Sequence, residues 1–141
     1  MQVSSAVAVA ATFVWLGMVL AISFLEAPLK FRAPGVTLPI GLGIGRLVFR
    51  ALNACEVVLA VAVIAGGLAA RASGGALSAA VTAVVVLAVQ VLAVRPALTR
   101  RSDRVLAGEQ GPRSRAHLAY VGLEAIKVVA LVTGGVLLLA G

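Results

Sequence analysis

Polar positions are sparse along this chain, and long apolar runs separate them. Four runs, about 5–26, 50–70, 75–95 and 116–140, are long enough to cross a bilayer as helices, which takes roughly 20 residues each. The pattern predicts an all-α fold, a polytopic membrane protein with a four-transmembrane-helix bundle as a single domain over 1–141. The first run is expected to end at Ala27-Pro28 and the third at Arg95-Pro96, because a residue before proline avoids helical backbone. The connection over 27–46 is too apolar for a solvated loop and is expected in the headgroup region, anchored by Phe31 and Ile40. Its Gly41, Gly43 and Gly45 suit a flexible lid or close helix packing. Their spacing also resembles a phosphate-cradling loop; no strand precedes it and no P-loop lysine follows, yet the glycine amides with Arg46 beside them could hold an anionic headgroup or diphosphate. The connection over 71–75 permits only a tight turn. The third connection is the hydrophilic one, with a short surface helix expected over 100–107 and Glu109 in a wet loop.

Polar side chains inside the spans change the picture, because each is costly in hydrocarbon and needs a reason. On the second span Arg46, Arg50, Asn53 and Glu56 form one stripe that descends from the interface. On the fourth, His117, Tyr120, Glu124 and Lys127 are spaced three, four and three, again one stripe. Trp15 and Glu26 lie eleven residues apart on the first span and should share a face. Glu26 itself fits either a solvated helix end or a carboxylate turned over the bundle. Gln90 is the polar residue inside the third span. Such stripes must face other helices or water. They serve either as structural pairs between helices or as a pocket.

A shift of 68 residues superposes Pro28 on Pro96, Arg32 on Arg100, Glu56 on Glu124 and Gly66-Gly67 on Gly134-Gly135. This suggests two repeated helical hairpins related by an axis along the membrane normal. It would bring Glu56 and Glu124 to equivalent depth.

Composition agrees with the bilayer reading: 62% of the 141 residues are hydrophobic, against about 45–50% in soluble domains. The net charge of +7 could suggest nucleic acid. Ten of the twelve basic residues instead lie in or beside the first and third connections. That placement reads as cytoplasmic loops beside anionic lipid, with both termini outside. No aromatic or motif signature for nucleic acid accompanies it, so no nucleic-acid partner is expected. The N-terminus lacks a charged n-region, so the first run is read as a retained span. Cys55, the lone cysteine, excludes an intrachain disulfide and is expected to be a buried, inert thiol.

Three chemistries fit the polar set. In the first, Glu56 and Glu124, with His117 and Tyr120, do general acid–base work on a lipophilic, isoprenoid-like substrate. Isomerisation, cyclisation or epoxide opening and hydrolysis are the reaction types, and Trp15, Glu26, Arg46, Arg50, Asn53, Gln90 and Lys127 line its pocket. In the second, carboxylates and a histidine hold a metal, but di-iron bundles use Glu-x-x-His pairs and this chain has none. Neither a metal nor another cofactor is therefore expected. In the third, Glu56 or Glu124 relays protons in a small-solute transporter or channel, which with four helices needs a homo-oligomer. An accessory subunit of a larger membrane complex is the remaining alternative.

The runs WLGMVLAISFLEAPLKF, GRLVFRALNACEVVLA and RAHLAYVGLEAIKVVAL resemble those of small bacterial four-helix membrane proteins. More loosely, Trp15-x-Gly17, Phe24, Pro28, Phe31 and Gly45-x-x-x-Phe49 resemble the eukaryotic transmembrane-protein-205 family. The resemblance implies the four-helix fold and a bacterial inner-membrane location. It implies nothing about activity, and the glutamates, His117 and Lys127 are not part of it.

Overall fold

The computed structural model describes residues 1–108 and 115–141; Glu109, expected in a wet loop, lies outside them. Four long helices cover almost all of the described chain: α1 Val3–Lys30, α2 Leu38–Ala69, α3 Gly74–Leu106 and α4 Arg115–Ala140. All four are long and apolar enough to cross a membrane, and this is a multi-pass membrane protein. Neighbouring helices pack in a ring, α1 on α2, α2 on α3, α3 on α4 and α4 on α1. Large apolar side chains such as Val58, Val61, Leu92 and Val129 cover the outside, as a lipid solvent demands.

The two prolines do not end their helices. A π-helical segment, Leu20–Glu26, precedes Pro28, and the chain stays helical to Lys30. A second one, Gln90–Val94, precedes Pro96, and that helix runs on to Leu106. A proline ring removes an N–H and crowds the preceding turn. Widening that turn to π geometry relieves the clash without a break. The surface helix expected over 100–107 is thus the end of α3, and the Arg46–Asp103 ion pair (2.7 Å) ties it to α2. The π segment also shifts the register of α1. Trp15 is fully buried, while the Glu26 side chain is 37% exposed and its Oε2 is buried.

Helix α2 starts earlier than the apolar run suggested. Thr37 caps it by accepting from the Ile40 N–H, and Pro39 fits its first turn. Gly41, Gly43 and Gly45 are therefore helical. A Cβ on Gly41 would meet the Phe31 ring, and one on Gly45 would stand 3.1 Å from Lys30 Nζ. These two glycines let the end of α1 lie against α2. Cys55 is exposed on the outer face of α2, not buried, because Asn53 and Glu56 take the inward face.

The repeat is visible in the packing. Ala8, Ala11, Thr12, Trp15 and Val19 are buried on α1, and so are Ala76, Ala79, Ala80, Ala83 and Leu87, their counterparts 68 residues on. Gly66 faces Ser4 and Ala8 across the first hairpin, and Gly134 faces Ala76 and Ala79 across the second. Gly67 and Gly135 instead face the other hairpin, against Leu77 and Phe13. Small residues at these crossings let backbones approach closely, the main source of helix affinity inside lipid. The polar interior breaks this symmetry. Trp15 corresponds to Ala83, Lys127 to Leu59, and only Glu56 and Glu124 match in kind.

Candidate functional site

A charged core sits one turn inside the basic end of the bundle. Lys127 Nζ on α4 lies 2.6 Å from Glu56 Oε2 and 2.6 Å from Glu124 Oε1. It also donates to Gln90 Oε1 at 2.7 Å. All four side chains are buried, none more than 1% exposed. The remaining valences are filled nearby. Trp15 Nε1 donates to Glu56 Oε2 at 2.7 Å, and Ser23 Oγ donates to Glu124 Oε2 at 2.6 Å. Gln90 Nε2 donates at 3.4 Å to Glu124 Oε1 and to the Tyr120 carbonyl.

Asn53 links this core to a second cation. With its amide oriented by its partners, it donates to Glu56 Oε1 (3.1 Å) and accepts from Arg95 Nη2 (2.8 Å) and Nε (3.2 Å). Lys127 is thus shared by two carboxylates, and Arg95 reaches Glu56 only through the neutral Asn53 amide. Burying such a group is tolerable only when every charge is paired and hydrogen-bonded.

Above the core is a cavity of about 400 Å³ between the inner parts of α1, α2, α3 and α4. That size suits a small organic ligand, for which roughly 300–1,000 Å³ is usual. Phe24, Phe49, Leu98 and Val121 give it apolar walls. Phe49 meets Tyr120 edge-on with ring centres 5.7 Å apart, and Lys30 and Arg95 each stand 5.8 Å from the Phe49 ring centre. Lys30 is also 3.6 Å from Glu26.

Of the residues singled out in the sequence, His117, Tyr120, Glu124 and Arg46 line the cavity. Glu56, Lys127, Gln90, Trp15 and Asn53 lie beneath it in the buried core and do not line it. Glu26 stands beside Lys30 outside the lining, and Arg50 is exposed and away from it. Glu56 and Glu124 do converge, but through a shared lysine, and Glu124 alone of the two reaches the cavity.

Compared with protein-family models, curated proteins and solved structures, the chain has no match.

Sequence reasoning passed over Ser23, Arg95, Arg101 and Ser102, which all line the cavity. With Pro96 as a helix stop, Arg101 and Ser102 fall in the third connection and Arg95 at the end of the third run. Ser23 carried one usable signal: it lies five residues before Pro28, where a wide turn is needed. Among the described residues, no three His, Cys, Asp or Glu side chains are grouped to hold a metal.

Proposed function

We propose that this is an integral membrane enzyme in which Glu124 does general acid–base work on a lipophilic, isoprenoid-like molecule held in the cavity. The observation that carries the reading is that Glu124 is the one carboxylate on the lining among the described residues, at the meeting of an apolar cavity and a fixed charge network. A carboxylate so placed can take a proton from a carbon beside an alkene and return it at another, which moves the double bond. Lys127, Gln90 and Ser23 hold it in one position, as a proton-transfer group requires. Glu56 then acts at one remove: it fixes Lys127 and carries the second negative charge. Tyr120 and His117 stand on the same stripe and face the same space. The basic end of the bundle faces the cytoplasm in this reading, since basic loops remain there, and substrate enters from the inner leaflet of a bacterial plasma membrane.

The test uses the purified protein in lipid nanodiscs in D2O, with a panel of prenyl alcohols and prenyl epoxides. The expected result is solvent deuterium in a lipophilic product, seen by mass spectrometry and lost in Glu124→Gln. No label with any member, or equal label in Glu124→Gln, counts against the reading.

A further inference from the structure

The cavity mouth carries an unusual excess of hydrogen-bond donors. Lys30, Arg46, Arg95 and Arg101 line it against the single carboxylate of Glu124. That carboxylate is already met by Lys127 from below, so it does not neutralise them. Arg46 has Asp103, and Lys30 has Glu26 at the longer distance of 3.6 Å. Arg95 bonds the neutral amide of Asn53 and stands beside the Phe49 ring and the Tyr120 hydroxyl, without a direct ion pair among the described residues, and Arg101 likewise has no ion-pair partner among them.

Two buried hydroxyls add to this. Ser102 and Tyr120 are among the residues that line the same cavity, each is 7% exposed, and neither buried hydroxyl has a hydrogen-bond partner among the described residues. The Arg95 guanidinium stands beside the Tyr120 hydroxyl. A guanidinium only donates, so the phenol proton still has no acceptor. A buried hydroxyl without a partner is costly and calls for an explanation. Here the partner that fits is an acceptor, and a multivalent one, since the residues of α3 and α4 that carry these donors line one cavity.

We infer that the mouth is a subsite for a phosphate or diphosphate head, and that the molecule it takes is a phosphorylated amphiphile with its apolar chain along Phe24, Leu98 and Val121. Phosphate oxygens accept from several guanidinium and hydroxyl groups at once, and such charge-assisted bonds are the strong ones. Phe49 packs under two of the cations and holds them over the cavity. The head sits at the level of the basic rim, and the chain extends toward Glu124. The inference names the substrate class of the pocket proposed above, and it rests on the cavity being a substrate site rather than on Glu124 doing chemistry.

The experiment is equilibrium binding to the full chain in zwitterionic nanodiscs, with farnesyl phosphate, farnesol, farnesoic acid and inorganic phosphate as separate probes. Farnesyl phosphate should bind at least about tenfold tighter than any of the other three. Arg101→Gln should remove most of that advantage and leave farnesol unchanged. It removes no hydrogen bond or ion pair seen among the described residues, and Arg104→Gln, exposed and off the lining, is the matched control. Competition by phosphatidic acid added to the discs would assign the same subsite to a bilayer lipid head, and its absence to a single-chain ligand. Equal binding of farnesol or farnesoic acid, or an Arg101→Gln protein that binds farnesyl phosphate like the parent, overturns the inference. Glu124→Gln separates the two proposals. It should abolish turnover but keep phosphate-dependent binding, so loss of one without the other shows which has failed.

Discussion

Lys127 reaches across the bundle to Glu56, and the two side chains meet at 2.6 Å although their helices, α4 and α2, stand diagonally opposite in the ring. The same ammonium holds Glu124, one turn earlier on its own helix. Removing it leaves two carboxylates facing each other in a dry interior. Lys127→Met should therefore cost about 3–5 kcal/mol, read as a loss of thermal stability in detergent micelles. Adding Glu56→Gln and Glu124→Gln to that variant should restore most of the loss, because the uncompensated charges are gone. A single Lys127→Met protein as stable as the parent would show that the network is not what fixes the diagonal.

Much of the site is legible in the sequence, and the reason is energetic. A carboxylate, an amide or a lysine inside an apolar span must find partners. The stripe His117–Lys127 does face inward, whereas the stripe of Arg46, Arg50, Asn53 and Glu56 does so only in part, since Arg50 is exposed. The rest was hidden by one inference about proline. Reading Pro28 and Pro96 as helix ends places Lys30 and Arg101 in connections and Arg95 at a helix end, while π segments keep all three on the bundle beside the cavity. Local sequence rules price the lost N–H but not the tertiary packing that widens a turn around it. Cys55 shows the opposite limit: composition says buried, but only the helical phase set by its polar neighbours says exposed.

The glycines of α2 divide by what a methyl group would touch. On Gly66 a Cβ would stand 3.0 Å from the Ser4 carbonyl oxygen and 3.1 Å from the Ala8 nitrogen, both backbone atoms that cannot move alone. Gly66→Ala should push α1 and α2 apart and cost about 1–3 kcal/mol. Nothing lies within 4 Å of a Cβ on Gly43, in the same helix. Gly43→Ala should stabilise by about 0.5–1 kcal/mol from helix propensity alone. Paired unfolding curves in one detergent decide it, and a destabilised Gly43→Ala would mean that this turn needs glycine for another reason.

Trp15 contributes both a ring that fills the core and the N–H that Glu56 Oε2 accepts at 2.7 Å. Phenylalanine retains most of the ring's apolar bulk and removes the donor. Hydrogen bonds to charged groups are worth about 1.5–3 kcal/mol, so Trp15→Phe should lose about that much stability, measured by circular dichroism since Trp15 is the only tryptophan. The same change in a Glu56→Gln background should cost clearly less, because the acceptor is no longer charged. Equal costs in the two backgrounds would assign the whole effect to packing.

Arg71 occupies the left-handed position after α2, with φ 54°, while Ala72 N–H returns to the Gly67 carbonyl at 2.9 Å. Glycine is the usual residue there, because a Cβ in that conformation costs roughly 1–2 kcal/mol. The gain from Arg71→Gly is partly offset by the extra freedom glycine has when unfolded, so stability should rise by less than about 1 kcal/mol. Arg71 is also the one basic residue in the turn at the far end of the bundle from the cavity. Its removal sharpens the charge asymmetry that orients the protein, so the variant should insert in the same sense as the parent. Accessibility of Cys55-free chains carrying a single cysteine at either turn would show this. A fall in stability would mean that the arginine side chain does more at this turn than its backbone angle costs.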